Sequence, residues 1–241
     1  MEKGGAMRKR AVVAAGIAAL VGGTWFVTMA RGAPSVPNVN PSNFVARVTN
    51  PYFPLKPGTV LTYKGIKDGQ TQIDRVTVTH RTKTILGVHA TVIHDVATHQ
   101  GHLLEATFDY YAQDKQGNVW YFGENTKAYQ NGRVSTEGSW MAGRNNARPG
   151  IIMEADPRVS DGYRQEYLKG HAEDQAWVVA LAATVHVPGG SFHPSLKSFE
   201  WTRLEPNVID EKDYGRGIGI IREVSRTGPL ETAFLVHVHR P

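Results

Sequence analysis

The chain predicts an all-β domain: a curved antiparallel meander that forms a half-barrel or barrel, carried behind an N-terminal hydrophobic signal or anchor helix. Three observations lead there. From residue 60 onward, alternating or β-branched runs recur, among them "TVLTYKG", "TQIDRVTVTH", "GVHATVIHDVAT", "LLEATFDYYAQD" and "NVWYFGE". Gly, Asn, Asp and Gln punctuate them at intervals too short for the crossovers that parallel strands require. One stretch alone, "HAEDQAWVVALAAT" (171–184), is rich in helix formers, so the domain holds at most one short helix.

In chain order, residues 1–33 are a signal peptide or membrane anchor. "MRKR" supplies a positive start, and the uncharged run "AVVAAGIAALVGGTWFVTMA" (11–30) follows it. Small residues near Ala30 and Ala33 suit cleavage, whereas the length of the run suits a retained span. Either outcome places the rest of the chain outside the cytoplasmic membrane, secreted, periplasmic or anchored facing outward. Residues 34–47, opening with "PSVPNVNPS", read as a Pro-rich tether, and residues 48–241 as a single β domain. Pro57-Gly58 fits the centre of a type II turn. "GSWMAGRNNARPGIIMEADP" (138–157) reads as a long irregular loop, of a length often tied to function. In 171–184 the helix formers compete with a β-branched continuation through Val185 and Val187, which favours a strand.

Composition excludes several functions. The formal net charge is +5, but residues 1–33 hold five basic side chains and one acid; without them 22 basic residues face 21 acids. The basicity belongs to the amino end, so nucleic acid is not an expected partner. With no cysteine there is no thiolate nucleophile, thiolate metal site, disulfide or haem attachment. No G-x-S-x-G elbow occurs, and "YGRGIGI" (214–220) lacks the flanking strand and helix of a dinucleotide fingerprint. No cofactor is implied.

The hairpin "DYYAQDKQGNVWYFGE" (109–124) carries most of the functional reading. A three-residue loop with Gly117 left-handed sets Asp114 opposite Asn118. Tyr111 then faces Tyr121, Ala112 faces Trp120 and Asp109 faces Gly123, which leaves a gap beside the acid. Alternation puts Phe108, Tyr110, Ala112, Trp120 and Phe122 on one face, expected to be core. Glu105, Thr107, Asp109, Tyr111, Gln113, Val119 and Tyr121 share the other. That mixture of acids and phenols suits the wall of a small-molecule pocket; the bland alternative is a solvent face covered by the 138–157 loop. Glu105 and Asp109 lie about 13 Å apart along an extended strand, beyond the roughly 5–9.5 Å of a glycosidase pair. In "YRQEY", Arg164 and Glu166 share a strand face, as an ion pair or as additions to the site. His237 and His239 of "HVH" also share a face and form a minimal metal candidate.

Several phrases occur together in an order that resembles a family of secreted bacterial β-rich proteins. They are "NPYFPLKPGT", "YAQDKQGNVWYFGE", "GSWMAG", "PGIIM", "YRQEY", "AED", "VPGGSF" and "LEP", across residues 48–236. The chain departs from that pattern at Phe108 and Tyr110, and the resemblance carries over no catalytic residue. "TVHVPGGSF" is also similar to the strand–turn–strand phrase of LolA-type half-barrel carriers, which implies a curved sheet with a concave binding face. The leading expectation is an exported, non-enzymatic protein holding a small molecule, lipid or glycan on that face through Glu105, Asp109, Tyr111, Tyr121, Arg164 and Glu166. The rivals are an extracytoplasmic carbohydrate hydrolase or lyase using Asp or Glu with Tyr or His, and a structural envelope protein without a pocket.

Overall fold

The computed structural model describes residues 39–130 and 132–241. The signal or anchor segment expected over 1–33 lies outside the described residues. Their single helical element is a 3₁₀ turn at Pro41–Asn43. The strands are β1 (Phe44–Val45), β2 (Val60–Lys67), β3 (Gln70–Ile85), β4 (Val88–His99), β5 (His102–Asp114), β6 (Val119–Gln130), β7 (Arg133–Ser135), β8 (Trp140–Met141), β9 (Arg148–Met153), β10 (Gly162–Arg164), β11 (Glu166–Tyr167), β12 (Gln175–Val187), β13 (Gly190–Trp201), β14 (Ile209–Gly215), β15 (Gly219–Thr227) and β16 (Thr232–His239).

They form a nearly closed antiparallel barrel in the order β10-β12-β13-β14-β15-β16-β2-β3-β4-β5-β6-β9-β11, with β1 beside β5 and β7 and β8 beside β6. The two ends of that order are halves of one segment. Residues 162–164 pair with β12, residues 166–167 pair with β9, and Gln165 sits between them. Two-residue turns with positive φ at both positions, Asp68-Gly69, Leu86-Gly87 and Gln100-Gly101, join β2 to β5. This turn type matches the right-handed strand twist and produces a meander. Bulges in the β3–β4, β5–β6 and β12–β13 ladders add the curvature that closure needs.

The hairpin at Asp114–Asn118 forms as expected. Gly117 has φ +100, its N–H bonds the Asp114 carbonyl at 3.0 Å, and Tyr111 lies opposite Tyr121. The Pro57-Gly58 turn also forms, with Gly58 at φ +91 and Thr59 N–H donating to the Lys56 carbonyl at 3.1 Å.

Four expectations need correction. Asp109 faces Glu124, not Gly123, because a bulge between Asp109 and Tyr111 adds a residue to β6. The gap expected at Gly123 is filled by β8, since a Cβ there would lie 2.4 Å from the Trp140 carbonyl oxygen. The 138–157 segment is not one irregular loop: β8 and β9 within it pair with β6, and its Gly150 lets β9 pass close to the Arg164 and Gln165 backbone. The tether ends earlier than residue 47, because β1 docks on β5 and Lys115 N–H donates to the Asn43 carbonyl at 2.7 Å.

The helix candidate resolves as strand β12, where Ala176 and Val178 are buried and Trp177 is exposed, the period of two that a strand requires. The apolar face of the 109–124 hairpin is buried, but on the outside of the barrel. Phe44 packs edge-on against Trp120 and Phe122, with centroids 5.8 and 5.5 Å away, and Lys83 covers Tyr110 at 4.9 Å. The polar-aromatic face therefore points inward.

Candidate functional site: the acidic lumen

Register fixes which side chains line the barrel, because residues opposite one another in a ladder share a face. Leu61, Val76, Asp95, Thr107 and Thr126 form one row across β2 to β6. Tyr63, Asp74, Ala97 and Glu105 form the next, and Val78, Ile93, Asp109 and Glu124 a third. Intervening residues such as Arg75 and Ile73 face out and are exposed. Asp109, Tyr111 and Tyr121 are each fully shielded from solvent.

The two phenol rings stack at 4.7 Å and 18°, and the Tyr121 hydroxyl donates to Asp109 Oδ1 at 2.8 Å. Phe53 meets Tyr111 edge-on at 5.1 Å from one side, and Trp140 meets Tyr121 at 5.3 Å from the other. Beside them runs a hydroxyl chain: Thr107 donates to Thr126 at 3.1 Å, and Thr126 donates to Glu124 Oε2 at 2.8 Å.

Most of the luminal carboxyls lack enough donors. Asp74, Asp95, Asp109, Glu124 and Glu223 each keep one buried oxygen without a hydrogen-bond partner, and Glu166 keeps both. Burial disfavours their charged forms. It pushes Asp109 up to about 7, against the Tyr121 bond and with help from Glu105. It likewise pushes Asp74 up to about 7, against Lys67 and with Glu105. Asp95 and Glu124 are held well above the carboxylate range by burial and then by neighbouring acids, Asp74 for the first and Asp109 for the second. Glu223 rises to about 8 through burial, which outweighs Lys212.

The opposite wall contrasts with this. There Lys212 Nζ lies 2.8 Å from Glu200 Oε2, while Tyr214 and Ser198 donate to Glu200 Oε1 at 2.8 and 2.9 Å. Burial alone would raise Glu200, yet Lys212 and these donors hold it below the usual range.

The expected site residues divide. Glu105, Asp109, Tyr111 and Tyr121 share the luminal face. Glu166, fully buried, acts electrostatically on both tyrosines and joins them. Burial, then Asp174 and Glu124, raises its pKa, and the Trp140 indole eases that shift without closing a hydrogen bond. Arg164 does not pair with Glu166. The chain changes partner strand at Gln165, which sends the guanidinium over Tyr167 at 4.9 Å. His237 and His239 lie exposed on β16, and among the described residues no three His, Cys, Asp or Glu side chains are gathered to hold a metal ion.

Sequence reasoning missed Asp74, Asp95, Glu124, Glu223 and the Lys212–Glu200 pair. The signal was present in "QIDRV" and "VIHDV", where the acid keeps the phase of the inward apolar residues rather than that of the exposed ones.

At one end of the lumen the lining turns apolar. Phe53, Leu61, Tyr63, Val78, Ile93 and Ile220 are among the residues bordering a small, partly enclosed apolar cleft. Tyr111 borders it too, so the cleft adjoins the acidic rows. The segment after Asn50 and the β14–β15 turn close this end, latched by Gly217 N–H donating to the Pro51 carbonyl at 2.7 Å.

The chain matches no protein-family model and no curated protein. Among solved structures it is similar to a presumed exported protein with a YmcC-like fold from Bacteroides fragilis, at 17% identity and a TM-score of 0.49 over 78% of this chain and 99% of that one. It is also similar to a presumed lipoprotein from Parabacteroides distasonis, at 13% identity and a TM-score of 0.44 over 78% of this chain and 98% of that one.

Proposed function

We propose that this is an exported barrel protein that binds a small amphiphilic ligand in its lumen. The apolar part lies in the cleft bordered by Phe53, Ile93 and Ile220, and the polar head reaches the rows of Asp109 and Asp95. One observation carries the reading: Asp95 and Asp109, each with a buried oxygen that lacks a partner, share ladder rows with residues that border an apolar cleft, and Tyr63 and Tyr111 border it too. Ligand sites combine a mostly apolar lining with a few placed polar groups in this way. The basic start and apolar run of residues 1–33, read as a signal peptide or membrane anchor, support a site outside the cytoplasm.

The test is thermal unfolding of the protein against a panel of single-chain lipids, detergents and alkyl glycosides of graded chain length. Stabilisation that rises with chain length, and weakens in Ile93→Asp, supports luminal binding. No stabilisation by any amphiphile refutes it.

The hydrolase reading draws on a different observation, the direct opposition of Asp109 and Glu124 across the ladder. Two neighbouring carboxyls that cannot both ionise can divide acid and base roles. Turnover of chromogenic glycosides that disappears in Glu124→Gln would favour it over binding.

A further inference from the structure

The acid-lined rows hold more carboxyl oxygens than the fold supplies partners for. Six carboxyl side chains, Asp74, Asp95, Asp109, Glu124, Glu166 and Glu223, are buried with at least one bare oxygen each. Two lysines act on these acids: Lys212 is held at 2.8 Å by Glu200, and the half-buried Lys67 lowers Asp74 and Asp95 without outweighing their burial. A buried charge is tolerated when it is paired and hydrogen-bonded. The β13–β14 wall obeys that rule: an ammonium, a phenol and a hydroxyl converge on one carboxylate. The β3–β6 wall has the phenol and hydroxyl parts of the same arrangement, Tyr121 on Asp109 and Thr126 on Glu124, with no ammonium on the remaining oxygen of either acid.

We propose that the missing ammonium comes from the ligand: the head group taken into this lumen is a primary or secondary amine in its protonated form. The inference rests on the luminal-binding reading and specifies its chemistry. A neutral polyol could donate to the bare oxygens, but it would bring no counter-charge for the ionised forms of Asp95, Asp109 and Glu124, which burial and their neighbours disfavour. An ammonium answers both needs, with two or three N–H donors for the bare oxygens and the charge that pairs with a carboxylate. A compact metal ion is a poorer complement, since no three candidate ligands converge among the described residues.

The experiment compares three probes of equal chain length, decylamine, decanol and decanoate, by isothermal titration of the protein at neutral pH and moderate salt. The amine is expected to bind at least tenfold tighter than the alcohol, with decanoate weakest. In Asp95→Asn and in Glu124→Gln the amine-to-alcohol ratio is expected to fall at least fivefold; if either variant fails to fold, the ratio in the unaltered protein decides. Equal affinity for amine and alcohol, or preference for decanoate, overturns the amine assignment and leaves luminal binding standing. Failure of all three to bind overturns both.

Discussion

Replacing Asp109 by asparagine keeps the side chain's shape and the acceptor for Tyr121, and removes a titration. In the folded protein this carboxyl sits at about 7, raised by burial from 3.8. A raised acid binds its proton more tightly in the folded than in the unfolded chain. Its contribution to stability is therefore greatest below about pH 4 and is lost as pH rises through about 7. A displacement of about 3 units, at about 1.4 kcal/mol each, amounts to about 4 kcal/mol as an upper bound. Asparagine has no such slope, and it also relieves Glu124, whose shift owes its second cause to Asp109. Asp109→Asn is thus expected to gain on the unaltered protein by up to about 4 kcal/mol between pH 4 and pH 8. Urea unfolding followed by tryptophan fluorescence at half-unit pH steps measures this directly. Parallel stability profiles for the two proteins, or an unaltered protein more stable at pH 8 than at pH 5, would refute the claim that burial dominates this carboxyl.

Three other substitutions probe the frame around the lumen. Gln113→Leu removes the acceptor that holds Thr49 N–H at 2.7 Å and the buried Asn50 N–H at 2.8 Å, and should cost about 1–3 kcal/mol in denaturant unfolding. Lys212→Met strands Glu200 without its counter-charge and should cost about 3–5 kcal/mol at neutral pH, the loss diminishing on acidification because burial without Lys212 raises Glu200 and favours its protonation. Gly123→Ala forces a Cβ onto a backbone at φ +126 and against the Trp140 carbonyl. The backbone conformation alone costs about 1–3 kcal/mol, and a lowered melting temperature should accompany release of β8 from β6.

The meander and the inward face of the hairpin were legible because both follow from local rules. The Asp114–Asn118 turn sets a register that holds through Tyr111 and Tyr121. Past them, "YFGE" gives no sign that Tyr121 and Glu124 share a face, because a bulge breaks the alternation that carries such information. Asp74 and Asp95 were overlooked for a related reason. Binary patterning assigns acids to solvent, and only the phase of their strands shows that they point inward. The place where the barrel closes was illegible, since β10 and β11 are too short to have a period. Gly150 and Pro149 resemble loop residues until the close approach at Gln165 is known.

The two walls of the lumen face the same burial and resolve it differently, which bears on what the acids are for. On β13–β14 the chain supplies its own ammonium, and Glu200 is satisfied. On β3–β6 it supplies phenols and hydroxyls, and leaves oxygens of Asp74, Asp95, Asp109 and Glu124 bare. Apolar side chains of similar volume would stabilise such positions, because removing buried acids without partners removes their desolvation cost. The outer face of the same hairpin shows that apolar packing is available nearby: Phe44, Trp120 and Phe122 fill it with edge-on aromatic contacts. Local rules are broken on one side of two strands and kept on the other, a pattern that marks functional sites in preference to structural ones. A barrel that needed only a filled interior would be more stable with Asn or Leu at these acids. If the quadruple change of Asp74, Asp95, Asp109 and Glu124 to their amides leaves amphiphile binding unaltered while raising stability at pH 8, the acids have no part in recognition.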